Sequence, residues 1–560
     1  MLHLITWRNF KKRQGIWWPA GRCIFSISRG CVFVLFVFLF SSNGWAQQLE
    51  RIAHLPQWPG VSQLVVYNDR IWFVNSHPYK DNNVADIYSY SPDETSVCYE
   101  RSLFSQDAGV PVVYEGLLYW PFEDPRRSAG AGEYAVTDGT NWQWRSMQSG
   151  SVMHVHAMSV CNDRLVAVTG AWTGQLHQLG NDQQWRLEYD YPAGDASFSR
   201  LVSVSEHGGS CIVGASARGK AEAKLFAIDD TQRETLSGWP SSDRVDSLVV
   251  HNESLFAFVD SGGQRKLLQY DDGKTHTISL PTDHRARALY SDGKTLWLGT
   301  LNVQDKKNRG QLWKYDDRAG FTPVQALPKV PIVLTSFRGA IAIGTHAASG
   351  GELWLFGEPD QSLESESPVA SLSAASLQLE PDESQVNQLY DELLELLTDP
   401  ASTADYARAL RKLLGSHALI KSPEFGAALT NLLSVTFDGE PTKMFTDEVV
   451  SRQNLIRWYL ITALAINGQG RIDPSWFNPA EELNVPSNGK LFNPAIAAIV
   501  ASGWLKQNDN VTLAALLQRL NNDTDPFWVK SDVIGALTAL TDQRFGYDVV
   551  AWNNWWSSKQ

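Results

Sequence analysis

Cysteine is scarce in this 560-residue sequence, which contains five cysteines. Cys23 and Cys31 belong to the leader segment described below, so Cys98, Cys161 and Cys211 remain for the rest of the chain. Three scattered cysteines form neither a disulfide framework nor a CxxC metal site. Cys161 and Cys211 stand beside apolar residues of predicted strands, so we interpret them as buried thiols.

Motifs of the common enzyme classes are also missing. The sequence has no GxSxG nucleophile elbow, no P-loop, no HExxH zinc motif and no dinucleotide-binding fingerprint. Carboxylates are plentiful, but their spacing selects no pair for general acid–base catalysis. We therefore predict no catalytic residue, no metal and no cofactor, and we expect a binding protein in preference to an enzyme.

Positive charge is in short supply. The chain has 48 Lys and Arg against 61 Asp and Glu, a net charge of −13. The first 46 residues hold six of the basic residues and no acidic one, so the rest of the chain carries −19. An acidic body of this kind argues against nucleic acid and against an anionic membrane surface as partners.

The N-terminal segment predicts export. A basic region precedes the apolar run Cys31–Phe40, and small residues lead up to Ala46. About ten apolar residues are too few for a membrane-spanning helix, which needs roughly 20. The pattern is typical of a signal peptide cut between Ala46 and Gln47, and it predicts a periplasmic or secreted protein. The alternative is an uncleaved leader that anchors the chain to a membrane.

A short hairpin recurs along residues 47 to 357. In one copy, strands Leu296–Thr300 and Gln311–Tyr315 flank a charged loop, and each strand alternates large apolar with small or polar residues. The first strands of the copies begin at residues 71, 118, 165, 211, 255, 296 and 341, which are 41 to 47 residues apart. Four strands in such a span are typical of one β-propeller blade.

These copies predict a seven-bladed β-propeller over residues 47 to 357, with a WD40/kelch-like architecture. The seventh copy ends at Gly357 without a fourth strand. Residues 49 to 56 end in Leu-Pro, as do earlier fourth strands at Leu280-Pro281 and Leu327-Pro328. We therefore expect the N-terminal strand to complete the last blade and to close the ring, which leaves few exposed strand edges.

Beyond the repeats the composition changes. Residues 358 to 385 are rich in Ser, Glu, Ala and Pro, which is typical of a solvated linker. From residue 386 to 560, apolar residues recur at helical spacing, for example at Leu389, Leu393 and Leu396. The predicted fold class is therefore a multidomain chain with an all-β part followed by an all-α part.

The end of the helical part has a more specific pattern. A helix opened by Asp525-Pro526 is followed by Phe545-Gly546-Tyr547-Asp548 and by a helix with Trp552, Trp555 and Trp556. This pattern resembles the terminal helices of bacterial HEAT-repeat proteins. The resemblance implies stacked helix pairs with an extended binding surface. We interpret the tryptophans as a packed cap on the last repeat, and an exposed binding patch is the alternative.

Candidate binding residues lie where the innermost strands of a propeller begin. These positions surround the central channel and share a face with the loops between second and third strands. The polar residues there are His154, His156, Arg200, Arg244, Asp246, Arg285 and Arg287. Arginine and histidine around a channel mouth can bind a carboxylate, a sulfate or an acidic glycan. The alternative is that channel mouths are wet and polar whatever they bind.

Loops on the same predicted face offer further contacts. The residues that we select there are Tyr79, Lys80, Arg126, Arg127, Lys306 and Lys307. Loops of unequal length suggest an asymmetric binding surface, and neutral insertions are the alternative. His154 and His156 lie on one side of a strand, as a metal-binding pair would, but no third ligand is apparent and we predict no metal site.

The function that we favour is that of an exported, non-enzymatic scaffold. It would bind another protein or an extracellular polymer or glycan through the propeller face and the helical surface. One alternative is a propeller of sialidase or lyase type that binds or processes acidic sugars. A second alternative is a membrane-anchored periplasmic sensor.

Overall fold

A computed structural model describes most of the chain from Gln48 onward. The described residues are 48–77, 84–123, 132–147, 152, 154–170, 173–191, 196–219, 223–228, 233–236, 239–240, 242–271, 273–305, 309–363, 383–398, 423–435, 442–443, 449–477 and 493–560. The predicted signal cleavage between Ala46 and Gln47 lies outside these residues.

Short strands fill the first part of the chain. They are β1 Leu49–Leu55, β2 Gly60–Tyr67, β3 Arg70–Ser76, β4 Ala85–Tyr90, β5 Cys98–Leu103, β6 Val112–Tyr114, β7 Leu117–Pro121, β8 Glu133–Thr137, β9 Trp142–Ser146, β10 His154–Cys161, β11 Arg164–Gly170, β12 Gly174–Leu179, β13 Trp185–Tyr191, β14 Ala196–His207, β15 Ser210–Gly219, β16 Leu225–Ile228, β17 Arg233–Thr235, β18 Arg244–His251, β19 Ser254–Ser261, β20 Gln264–Asp271, β21 Lys274–Ile278, β22 His284–Ser291, β23 Leu296–Asn302, β24 Gly310–Asp316, β25 Gly320–Leu327, β26 Val330–Phe337, β27 Ala340–His346 and β28 Gly351–Phe356.

Neighbouring strands pair antiparallel in chain order. From β2 to β25 they form successive four-stranded meanders, and β26, β27 and β28 form a run of three. β1 joins that last run by pairing with β28, from Leu49 opposite Phe356 to Leu55 opposite Gly351. Repeated four-stranded meanders of this kind define a β-propeller-like region, and we call each meander a blade.

Glycine allows successive blades to approach each other closely. A Cβ atom added at Gly214 in β15 would lie 2.5 Å from the Val245 carbonyl oxygen in β18. A Cβ atom added at Gly344 in β27 would lie 2.6 Å from the Val61 carbonyl oxygen in β2. Any larger residue at either position would push the second strand of one blade away from the first strand of the next.

Seven α-helices follow among the described residues. They are α1 Glu383–Thr398, α2 Pro423–Leu433, α3 Arg452–Asn467, α4 Pro494–Trp504, α5 Asn510–Leu520, α6 Phe527–Thr541 and α7 Val549–Ser557. A 3₁₀ turn at Pro474–Phe477 and a two-stranded pair of β29 Thr442–Lys443 with β30 Val449–Val450 lie between them. Helix α1 begins at Glu383, so the end of the segment predicted as linker is helical instead.

Local sequence fixes several helix ends. Side chains at the N-caps accept backbone N–H groups of the first turn, which removes unsatisfied donors. These caps are Ser451, Asn493, Asp509 and Asp548. Helix α3 ends at Gly468, whose positive φ of 75° suits glycine. In the described part of the chain, no helix has the length and apolar content needed to cross a membrane.

The helical part packs against the outer strands of the first two blades, a contact that we call the seam. Helix α6 lies on β5, and α3 and α4 reach β9. The Trp504 ring contacts the Trp144 ring at a centroid distance of 5.6 Å. A Cβ atom added at Gly535 would lie 2.7 Å from the Ser102 Cβ, so α6 and β5 meet almost backbone to backbone. Residues on both sides of the seam share one buried apolar cluster.

A buried carboxyl group lies within the seam. Asp86 in β4 accepts hydrogen bonds from Tyr547 Oη at 2.5 Å, Ser531 Oγ at 2.7 Å and Tyr99 Oη at 3.2 Å. Burial raises the pKa of Asp86 to about 6, although the hydrogen bonds from Tyr547 and Ser531 act to lower it. Protonation of Asp86 is therefore linked to docking of the helical part on the propeller.

Candidate functional site: the channel mouth

The first strands of the blades begin at the face where the second strands end. Bridges between neighbouring blades fix this arrangement, since they join the end of a second strand to the start of the next first strand. The bridging pairs are Gly170 with Arg200, Ser216 with Arg244, and His346 with Gly60. We call this face the channel mouth.

Bulges in the first strands change the direction of side chains that lie at the channel mouth. The pairing of β10 with β11 shifts around His156, and the pairing of β22 with β23 shifts around Arg287. A β-bulge inserts one residue into a strand, bends the strand and redirects side chains, often beside binding sites. Two of the residues predicted from sequence are therefore bulge residues.

His154, His156, Glu123 and Arg200 form one group at the mouth, which we call the histidine group. The two imidazole rings stack with centroids 5.4 Å apart. His154 Nδ1 lies 2.6 Å from the Glu123 backbone oxygen, and His156 Nδ1 lies 3.3 Å from Glu123 Oε1. Arg200 Nη2 lies 3.3 Å from His154 Nε2. Since arginine only donates, His154 accepts at Nε2 and donates from Nδ1.

Glycines make room for this group. A Cβ atom added at Gly170 would lie 2.6 Å from Arg200 Cγ, and one added at Gly174 would lie 2.6 Å from the Leu201 nitrogen. A Cβ atom added at Gly109 would lie 2.4 Å from the Val155 carbonyl oxygen. The backbone of three separate segments can therefore close around the histidines.

Burial decides the protonation of the histidine group. It lowers the pKa of His154 to about 3, and it also lowers the pKa of His156, with Arg200 acting in the same direction on both. Burial acts to raise the pKa of Glu123, but the hydrogen bond from His156 and the nearby cationic groups outweigh it and lower that pKa to about 2. At neutral pH the imidazoles are neutral and Glu123 is charged. Among the described residues, His156 Nε2 has no hydrogen-bond partner.

A second group at the mouth is an internally paired network. Arg244 Nε donates to Asp246 Oδ2 at 2.6 Å, and Arg265 Nη2 lies 3.2 Å from the same oxygen. Arg265 also binds Asp260 through two nitrogen atoms, each 2.8 Å from a carboxylate oxygen. Although burial acts to raise the pKa of Asp260, Arg265 outweighs it, with Arg244 and Arg287 assisting, and that pKa is lowered. Most of the charge on this side is neutralised within the protein.

A third group differs because its arginines are exposed and unpaired. Arg285 and Arg287 lie in β22, and Arg309 immediately precedes β24. No carboxylate of the described residues forms an ion pair with any of the three. Burial lowers the pKa of His346, and Arg287 and Arg309 add to this effect, which places both arginines near His346. We call Arg285, Arg287 and Arg309 the basic arc.

The seven predicted mouth residues thus fall into three groups. Glu123, Arg265, Arg309 and His346 were missed, because they come from second strands, from the loops after them or, for Arg265, from the start of a third strand, and not from first strands. The predicted loop residues Tyr79, Lys80, Arg126, Arg127, Lys306 and Lys307 lie outside the described residues. Within the described part of the chain, no cluster of three or more His, Cys, Asp or Glu is placed to hold a metal ion.

The chemistry of the mouth suits binding of anions. Its histidines are neutral and buried, so they are weak proton donors, whereas the basic arc offers permanently charged guanidinium groups with several N–H donors each. Guanidinium groups bind carboxylates and sulfates by paired, charge-assisted hydrogen bonds.

The strand meanders and the mouth define a protein of the β-propeller class that carries an additional helical part. Similar solved structures include the β-propeller domain of the Trilobed protease from Pyrococcus furiosus, at 12% identity and a TM-score of 0.38, covering 55% of this chain and 99% of that chain. The β-propeller domain of Cps50 (Swd1) from Myceliophteria thermophila has 11% identity and a TM-score of 0.39, covering 55% and 99%. The WD40 β-propeller domain of Doa1 has 12% identity and a TM-score of 0.37, covering 56% and 98%.

At these identities the similarity concerns the fold alone. No protein family matches the sequence, and no curated protein matches it.

Proposed function

We propose that this chain is an exported interaction protein whose channel mouth binds an acidic segment of a partner protein. The observation that carries the proposal is the basic arc. Three exposed arginines that form no ion pair with the described residues lie at one end of a single blade, in a chain whose net charge is −13. Exposed guanidinium groups that are not held in ion pairs favour an anionic ligand.

The spacing of the donors favours a chain of carboxylates over a single anion. Arg285 and Arg287 lie on β22 and Arg309 immediately precedes β24, so the donors come from two separate segments of one blade. An extended acidic peptide carries carboxylates at intervals along its length, so it can contact several guanidinium groups at once. Rigid blades hold these donors in place before binding, which reduces the entropic cost of association.

Finer features of the architecture belong to the same proposal. We propose seven blades over residues 47 to 357, a linker that ends before Glu383, where α1 begins, and a HEAT-like helical domain from there to residue 560. The count of blades is supported by the grouping of β1 to β28 in sets of four. Export through cleavage between Ala46 and Gln47, and placement in the periplasm or outside the cell, rest on the leader sequence alone.

Fluorescence anisotropy with a labelled glutamate-rich peptide tests the proposal. A triple variant should bind the peptide roughly 100-fold more weakly, because its new carboxylates repel the glutamates of the peptide. The variant combines Arg285→Glu, Arg287→Glu and Arg309→Glu. The matched control combines Arg186→Glu, Lys274→Glu and Arg318→Glu, which make the same charge change at exposed positions away from the mouth. The control should bind like the unchanged protein.

Two results would contradict the proposal. Equal loss in the control would show that only net charge matters. Binding of a carboxylated glycan such as polygalacturonate, without binding of the peptide, would assign the mouth to acidic sugars instead.

A further inference from the structure

On the face opposite the channel mouth, the blades are joined by side chains at the ends of the first strands. Each of these side chains crosses to the neighbouring blade. The contacts are Tyr67 Oη to the Gly116 oxygen at 2.8 Å, Tyr114 Oη to the Asp163 oxygen at 3.5 Å, His251 Nδ1 to Ser291 Oγ at 3.0 Å and Tyr290 Oη to Ser336 Oγ at 2.9 Å. The last or next-to-last side chain of each of these first strands therefore links neighbouring blades, and we call such a side chain a clasp.

At the boundary between the third and fourth meanders, this position is occupied by a cysteine that meets a second cysteine. Cys161 is the last residue of β10, and Cys211 lies near the start of β15. The two side chains belong to the same buried apolar cluster. Both side chains are buried, with 2% and 7% of their surfaces exposed, and both line a cavity of about 30 Å³. The clasp here consists of two sulfur atoms.

The backbone around the two thiols is held in register independently of the sulfur atoms. The Asn162 backbone N–H donates to Glu206 Oε2 at 3.2 Å, and Asn162 Nδ2 donates to the Gly209 oxygen at 3.0 Å. These bonds tie the turn after Cys161 to the turn before Cys211. The two cysteines are therefore kept together by their neighbours as well as by their own contact.

We propose that Cys161 and Cys211 are a disulfide-forming pair that links two neighbouring blades covalently. The oxidant is a small-molecule disulfide such as oxidised glutathione. One protein thiolate attacks a sulfur atom of this disulfide, forms a mixed disulfide and releases one thiolate. The second protein thiolate attacks the protein-bound sulfur atom and releases the other. Two protein thiols become one disulfide, and the oxidant is reduced to two thiols.

The pair should oxidise mainly before the ring closes. The neighbouring Cys211 thiol and burial both raise the pKa of Cys161, and a protonated thiol does not attack a disulfide. The cavity is also too small for glutathione. The bond therefore forms during folding, or when the two turns open, and burial then protects it.

Peptide mapping of the full chain tests the pair. The denatured, reduced chain is refolded with oxidised glutathione, free thiols are blocked with N-ethylmaleimide, and tryptic peptides are analysed by mass spectrometry. We expect a cross-linked pair of peptides containing Cys161 and Cys211, with the loss of two hydrogen atoms. Cys98 lies in β5 near Glu94 and should be blocked in the same sample.

Variants separate this pairing from general oxidation. Cys98→Ser should leave the cross-link intact, whereas Cys161→Ser and Cys211→Ser should each leave the other cysteine blocked. If Cys161 and Cys211 are both blocked in protein with a native circular dichroism spectrum, the proposal is wrong. A cross-link from Cys98 to either of them would also overturn it.

Thermal unfolding supplies a second readout. The linked chain should melt on the order of 5 °C higher than the reduced chain, because the bond closes a long loop in the unfolded state. The double variant Cys161→Ser/Cys211→Ser should melt at the same temperature with and without the oxidant. A lower melting temperature for the linked chain would mean that the bond strains the ring, against the proposal.

Discussion

The seam and the channel mouth handle charge in opposite ways. At the seam, charged groups are removed from water and given partners: Asp86 accepts three hydrogen bonds, and the buried Arg101 guanidinium lies 3.6 Å from the centre of the Trp504 ring. At the mouth, the basic arc remains exposed, and no carboxylate of the described residues pairs with it. Charged groups that are buried with partners hold the two parts of the chain in a fixed arrangement, whereas exposed charges of one sign are available to bind a ligand.

The two regions also differ in what a substitution should change. At the seam, substitutions should alter stability and leave the mouth intact. In the basic arc of the mouth, substitutions should alter binding and leave the melting temperature nearly unchanged, since exposed charges contribute little to stability.

The largest effect is expected for Gly535→Val at the seam. The new side chain would collide with Ser102, and α6 would have to move away from β5. We expect a loss of about 4 kcal/mol from the free energy of unfolding, together with early proteolysis in the helical part. Chemical denaturation and limited trypsin digestion measure this. Ala539→Val, at a half-exposed position of the same helix, is the control and should change little.

Asp86 should give the seam a dependence on pH. Its pKa rises from 3.8 to about 6 on folding, so the folded state binds the proton more tightly. Stability from this group is present below pH 4 and is lost as the pH rises through 6, by about 3 kcal/mol in total. Asp86→Asn should remove this part of the slope in denaturation curves recorded between pH 4 and pH 7. An unchanged slope in the variant would show that other groups are responsible.

The smallest effect is expected in the histidine group. Arg200 contributes to the low pKa of His154, but burial contributes more. Arg200→Met should therefore raise the pKa of His154 by less than about 1 unit. NMR titration of the imidazole resonances measures this shift. A fall in the pKa would mean that Arg200 does not act on His154 through its charge.

Much of the propeller could be predicted from local patterns. Each strand shows an alternation of apolar and polar residues, and each hairpin recurs at a regular spacing. The segment Leu49–Leu55 was predicted to complete the last blade, and it pairs with Gly351–Phe356 in the structure. Helix ends at residues such as Ser451 and Asp509 follow from their own side chains. Of the three tryptophans interpreted as a cap, Trp552 is completely buried, whereas Trp555 and Trp556 are partly exposed.

The seam could not be predicted in this way. Asp86 and Ser531 are 445 positions apart in the sequence. The residues around each of them contain no pattern that predicts contact with the other. Burial of α6 against β5 depends on the shapes of two finished domains. The modules were therefore predicted as separate surfaces, whereas they share one buried cluster.

The pairing of Cys161 with Cys211 was partly predictable, unlike the seam, but less so than the strands of the propeller. Cys161 stands 47 residues after Tyr114, which stands 47 residues after Tyr67, so the repeat itself marks the position of a clasp between blades. The neighbouring apolar residues of the two cysteines predicted only that both thiols are buried. Repeat register can thus reveal contacts between blades that residue type cannot.

Hydrogen–deuterium exchange with a glutamate-rich peptide tests the central claim most directly, because it shows where the ligand lies. We expect slower exchange near Arg285 and Arg287 in β22 and near Arg309 before β24, with no change in α6 or β5. Protection confined to the helices, or no protection anywhere at a peptide concentration that saturates the anisotropy signal, would contradict the assignment of binding to the channel mouth.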